Sequence, residues 1–288
     1  MGLRRPGVRL ENSGEVVQQE EYWLLGQPLL RRYLDFVGSN VVGGKDLSRV
    51  ALTDEWGKAN DYYEALAKSE SGIADTVECT DLDPTLAPLA EAVKADARYR
   101  HTFDSLPTRF GMVELAKLVV FQIHVTGSFT QSLKLRLPPK PDLSALFRFC
   151  LPLGKPEAPV EMKRVGSKRY VFSSESTDFR FQETIMLRPE QISGYENYGP
   201  LSGIAGVAVG FGSNFLNVIH DDDSGRLLLH NGYHRACALH AMGVTHAPAV
   251  IQTVTRRDEL DLSADANVAK SPGYYFNAPR PPLLRTWV

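Results

Sequence analysis

An α+β chain is predicted, a helical N-terminal domain followed by a mixed-sheet α/β domain. Three observations predict it: apolar residues recur at three-to-four spacing through the first hundred residues, periodicity changes at the breaker Pro138-Pro139-Lys140-Pro141, and a strand, turn, helix and strand follow one another between residues 227 and 254. The 288 residues then divide into a mobile arm (1–19), a mainly helical domain (20–137), an α/β domain (138–260) and a C-terminal tail (261–288).

In order, Trp23, Leu24, Leu29, Leu30, Tyr33, Leu34 and Phe36 trace one helix, and Val50, Leu52, Trp56, Tyr63 and Leu66 trace a second over 46–68. Asp83 followed by Pro84 predicts a cap and first position for a third helix towards Ala97. A longer helix is expected over 105–125, with Phe110, Val113, Leu118, Phe121 and Ile123 in the core. Strict alternation over 132–137 then predicts a strand, and a short helix follows over 144–150. Residues 168–173 and 179–187 read as the arms of one hairpin, with 174–178 as its turn. Beyond a Gly- and Pro-containing loop and the small-residue stretch 203–213 come strands over 215–219 and 226–229, a helix over 233–242 ended by Gly243, and a strand over 249–254. The sheet-forming part is thus expected wholly in the C-terminal half. The tail carries Tyr274, Tyr275, Phe276 and Trp287, too aromatic for a linker; it either packs over a neighbouring surface or a second subunit, which allows a homo-oligomer, or frays as chain ends do.

A net charge of −2 gives no global reason to seek out nucleic acid, since non-specific duplex binding needs many unopposed cations. No run approaches the ~20 apolar residues of a membrane span. Arg4 and Arg5 lack a following apolar segment, and Pro6 stands where a myristoylation signal needs Ser or Thr. Three widely spaced cysteines, Cys79, Cys150 and Cys237, argue against a disulfide framework, so a soluble cytoplasmic protein is expected.

Chemistry concentrates at Asn231-Gly232-Tyr233-His234-Arg235. This stretch sets a histidine and an arginine in the first turn of a helix, where the macrodipole is already positive, so an anion is expected among them. Asn231 and Gly232 make the sharp turn that leaves backbone N–H groups facing a ligand, Arg235 can clamp a phosphate with two donors, and His234 can add a hydrogen bond and change charge near neutrality. The plainer alternative is an ordinary ion pair for Arg235 and a packed His234.

Strand, Gly-x-His-Arg turn, Ala-rich helix ending at glycine and Val/Ile strand after a proline together resemble the core of the ParB/sulfiredoxin superfamily, over residues 180–254. The resemblance implies phosphate or nucleotide binding at Gly232, His234 and Arg235, with a nucleotide and Mg as cofactor and a transferase activity within reach. It also sets limits. Tyr233 stands where sulfiredoxin-like enzymes carry a catalytic cysteine, with Cys237 a helical turn later; Asn231 replaces the aspartate of the superfamily's serine kinases and cannot act as a base. After Val254 neither the second nucleotide-contacting motif nor the helix-turn-helix of the chromosome-partitioning members follows.

Three functions remain. The first is a small-molecule enzyme binding an anionic ligand or nucleotide at residues 231–235, with His234 and Arg235 stabilising a transferred phosphoryl group and His230 the nearest candidate base. The second is a non-catalytic nucleotide-sensing or regulatory protein. The third uses a His-rich pocket on a carboxylated or aromatic substrate, with or without a metal, because five of the seven histidines fall within 220–246; His230 and His234 with His220 or Asp222 form the candidate ligand set. His124 reads as a core histidine, His240 and His246 as surface or capping groups. Asp221-Asp222-Asp223-Ser224-Gly225 suggests magnesium but reads better as a hairpin turn, and Gly210-Phe211-Gly212-Ser213 as a connector.

Overall fold

The computed structural model describes residues 3–10, 16–23, 29–122, 124–154, 158–167, 169–176, 179–199, 203–260 and 266–286. The chain forms two compact units, Met1–Leu153 with Phe215–Val288, and Gly154–Asn214. Helices and a mixed sheet make it an α+β protein, and Pro138 to Pro141 fall inside the first unit.

The first unit opens with β1 (Leu3–Leu10) and β2 (Val16–Trp23), paired antiparallel, so the stretch read as an arm carries strand pairing. Helices α1 (Leu30–Asn40) and α2 (Arg49–Ser69) follow, with Ser48 Oγ accepting from the Ala51 N–H to cap α2. Tyr33, Val37 and Leu52 form their small core, and the Tyr33 hydroxyl donates to Glu55 at 3.0 Å. Next come β3 (Cys79–Thr80), α3 (Ala87–Ala95) and α4 (Ala97–Thr102). As expected, Asp83 Oδ1 accepts from the Thr85 N–H, with Pro84 opening the turn that leads into α3.

The helix expected over 105–125 does not form. In its place stand β4 (Thr108–Glu114), a single 3-10 turn over Leu115–Lys117, an isolated bridge at Val119, and β5 (His124–Thr126). Gly111 lets β4 lie close to its neighbours, since a Cβ there would stand 2.7 Å from Ile251 Cδ1 and 2.8 Å from the Thr80 carbonyl oxygen. Strand pairing on both sides overrides the helical spacing. The core assignment holds for Phe110, Val113 and Leu118, all buried; Phe121 is partly buried and Ile123 lies outside the described residues.

The strand expected over 132–137 is helix α5 (Gly127–Lys134) in its first part. Gly127, Thr130 and Leu133 are buried at threes, a helical face, while Leu135 is 79% exposed, so the alternating leucines do not share one apolar surface. Helix α6 (Leu143–Cys150) forms as expected, capped by Asp142 through the Ala145 N–H.

Among its described residues the second unit holds two antiparallel strand pairs, β6 (Glu161–Arg164) with β7 (Tyr170–Ser173), and β8 (Phe179–Leu187) with β9 (Ile204–Phe211). Both arms expected of a single hairpin are strands, but each takes a different partner. Charged β6 and small-residue β9 escaped the sequence reading because neither shows the alternation of a half-buried strand.

The first unit resumes with β10 (Asn217–Asp221), β11 (Leu227–Asn231), helix α7 (Tyr233–Ala241), β12 (His246–Val254), α8 (Ala266–Lys270) and α9 (Pro272–Phe276). The sheet order is β11-β10-β12-β4-β3, with β10 and β12 parallel and the remaining pairs antiparallel. Two of its strands precede residue 138, which corrects the expectation of a sheet confined to the C-terminal half. Val119 extends the sheet beyond β11: its N–H bonds the Leu227 carbonyl, and its carbonyl accepts from the Leu229 N–H.

The central strands are apolar on both faces, as strands covered on both sides must be. Leu227, Leu229 and Val218 join the core of Phe147, Cys150 and Leu239 from α6 and α7. Ile219 and Leu228 point to the other face and pack with Val268, Phe276 and Leu283 from the tail. The tail therefore packs on its own chain. Arg226, its side chain 4% exposed, bonds both Asp75 (2.6 Å) and the Tyr275 carbonyl (3.1 Å); Arg280 bonds Glu70 at 2.9 Å. Phe276 is 1% exposed, so Phe276→Ala should cost about 3–5 kcal/mol in chemical denaturation, against less than about 0.5 kcal/mol for a frayed end.

Candidate functional site

The turn at 231–235 joins β11 to α7. Strand β11 carries one extra residue against β10, since Asn217 faces Asn231 while Val218 faces Leu229, and the bulge falls at His230. His230 is half-buried, its ring 6.3 Å from that of Phe121. Asn231 Oδ1 accepts the Gly232 N–H at 2.8 Å, which occupies the side-chain oxygen locally.

Gly232 is the N-cap of α7 with φ +92°, a left-handed conformation that glycine enters without the Cβ penalty. A Cβ there would also stand 3.0 Å from Leu216 Cα. Both conditions favour glycine, one through the chain's own geometry and the other through its neighbour.

Tyr233 is 5% exposed and ties β11 to the segment that precedes β5. Its hydroxyl donates to the Leu229 carbonyl (2.6 Å) and accepts from the Phe121 N–H (3.2 Å). The phenol ring and its hydroxyl thus serve as a cross-brace.

His234 lies against α5. Its Nε2 accepts the backbone N–H of Thr126, the N-cap residue of α5, at 3.1 Å, and its ring meets Phe129 edge-on at 5.1 Å. A nitrogen that accepts from an amide N–H carries no proton, so the other ring nitrogen does. Burial first, and then His124 and Arg235, lower its pKa from 6.5 to about 4. The expectation of a histidine that changes charge near neutrality is thereby corrected: His234 is a neutral acceptor at pH 7.

Arg235 is half-buried in the first turn of α7. Its charge acts on the Cys150 thiol, opposing the burial that pushes that thiol up to about 12. Cys237, also buried, is pushed up by burial alone, which leaves both thiols protonated at pH 7. Helix α7 has no acidic residue in its first turn and no side-chain cap.

The remaining candidates fall elsewhere. Asp221 to Gly225 form the tight turn between β10 and β11, where Asp221 Oδ2 accepts from the Ser224 N–H (3.1 Å) and hydroxyl (2.5 Å), as the hairpin reading expected. Residues 210 and 211 end β9 rather than forming a connector. His246 bonds Glu78 (3.2 Å), and burial lowers the pKa of the half-buried His240. Among the described residues no group of three His, Cys, Asp or Glu side chains is gathered to hold a metal ion. His234, one of the expected ligands, already engages Nε2 with Thr126.

Sequence reasoning missed the contribution of residues 121–129. Phe121, His124, Thr126 and Phe129 reach the turn from more than a hundred positions away, and no local pattern marks them as its neighbours. Comparisons with protein-family models, curated proteins and solved structures find no match to this chain.

The histidine makes stability depend on pH. Its folded pKa lies below its unfolded value, so the unfolded chain binds the proton more readily. The contribution is full above about pH 6.5 and is lost as pH falls towards about 4, up to about 3 kcal/mol. His234→Gln can keep an acceptor for Thr126 without the titration. Urea unfolding at about pH 7.5 and about pH 4.5 should show a smaller loss for this variant than for the wild type; equal losses would remove His234 from the account.

Proposed function

We propose that this chain binds a small anionic ligand, a phosphorylated metabolite or nucleotide, at the start of α7, with Arg235 as the gripping group. One observation carries the reading: α7 starts with no acidic residue and no side-chain cap, yet holds an arginine in its first turn. Exposed charge near a helix end is worth about 0.3–1 kcal/mol, unfavourable for a cation at this end, and a bound anion reverses that cost. The Gly-x-His-Arg resemblance to the ParB/sulfiredoxin superfamily points to the same ligand class. Any accompanying Mg would be held chiefly by phosphate oxygens and water.

Within this reading Tyr233 and His234 build the site instead of reacting in it. His234, neutral and bonded to Thr126, is unsuited to stabilising a transferred phosphoryl group as a cation, which favours binding without turnover, the nucleotide-sensing role. A second reading, phosphoryl transfer with His230 as base, is favoured by the bulge at that residue, because bulges re-aim side chains beside reactive sites.

A thermal-shift screen across nucleotides and phosphorylated metabolites, with and without Mg, tests the proposal. Ligand at a hundred times its Kd should stabilise the wild type by about 2.7 kcal/mol. Arg235→Ala should keep the unliganded melting temperature within a few degrees and lose most of the ligand response. An unchanged response would overturn the site. Turnover of the ligand by wild type that disappears in His230→Gln would select the second reading.

A further inference from the structure

The second unit, Gly154–Asn214, is built of two-stranded sheets, and among its described residues no apolar side chain is buried. Phe181 (64% exposed), Met186 (73%) and Val207 (47%) stand out. The register puts them on one face of the β8–β9 hairpin, because Phe181 lies opposite Val209, Thr184 opposite Val207, and Met186 opposite Ala205. A lone two-stranded hairpin is marginal in water; three or more strands are needed.

The edge of β9 is where strands can be added. β8 occupies one edge, and among the described residues no strand pairs with the other. Exposed edges in natural proteins are blunted by lysine, proline or inward-pointing charge. Strand β9 reads Ile-Ala-Gly-Val-Ala-Val-Gly-Phe, and from Gly203 to Ser213 no charged residue and no proline interrupts it. Strand β6 in the same unit, by contrast, carries Glu161, Lys163 and Arg164.

We propose that β9 pairs antiparallel with β9 of a second copy of this chain about a two-fold axis, giving one four-stranded sheet, β8–β9–β9–β8, across the dimer. A two-fold contact requires a surface that fits itself. An uncharged strand meets that condition, since antiparallel self-pairing sets no like charges opposite one another. The second copy also supplies the missing strands without a further partner. Gly206 and Gly210 keep part of the strand free of bulky side chains.

Size-exclusion chromatography with light scattering over a wide concentration range is the test. The wild type should run as a dimer. Val207→Lys sets a charge near the middle of the strand, close to its own symmetry mate, and should raise the dimer dissociation constant roughly tenfold or more. Val207→Thr keeps a strand-forming residue without charge and should stay dimeric. Far-UV circular dichroism of both variants should match the wild type, because the first unit's sheet is untouched. A monomeric wild type, an open polymer, or a dimer that Val207→Lys leaves at wild-type affinity would each overturn the proposal. A wild-type monomer that takes up an unrelated extended peptide at β9 would assign the edge to a different guest, and would equally overturn it.

Discussion

The close approach of Gly232 to Leu216 is the constraint from which the rest of the site follows. Helix α7 must leave β11, turn through a left-handed residue and lie back over the sheet before β12 can pair parallel with β10. With Leu216 Cα where a Cβ would reach to 3.0 Å, the helix starts hard against the segment that leads into β10. That start fixes the direction in which Tyr233, His234 and Arg235 leave the first turn.

Two of those three side chains then bind the fold together. Tyr233 fastens β11 to the stretch ending at Phe121, and His234 receives the amide that opens α5. Elements far apart in sequence meet at one helical turn, and burial holds the imidazole neutral. With the imidazole neutral, Arg235 is the one charged side chain among the three. Tail and turn are linked through the same strand, for Val119 pairs with both Leu228 of β11 and Leu283 of the tail.

Where a segment has one local solution, the sequence showed it. Helices α2, α3, α6 and α7, the caps Asp83 and Gly243, and the Asp221 to Gly225 hairpin turn all carry local signatures, and the structure has them. The readings fail where tertiary pairing decides. Phe110 and Val113 fit a helix face or a strand face equally well, and only the partners β12 and β3 select the strand. Leu133, Leu135 and Leu137 alternate, yet α5 buries Gly127, Thr130 and Leu133 at i, i+3 spacing. At the site, the turn and its glycine were legible because backbone geometry restricts residue choice. The neutral state of His234 was not, since it arises from Thr126, Phe129 and His124, brought there by the fold.

The equilibrium stability of two substitutions at Gly232 tests the central constraint most directly. Alanine and asparagine differ in how readily they adopt positive φ, asparagine being the more tolerant, but both bring a Cβ towards Leu216. Gly232→Ala and Gly232→Asn should each lose about 1–3 kcal/mol in denaturant unfolding, with asparagine giving little rescue. A Gly232→Asn variant as stable as the wild type would contradict it, because the turn would then need only a left-handed residue and not the close approach to Leu216.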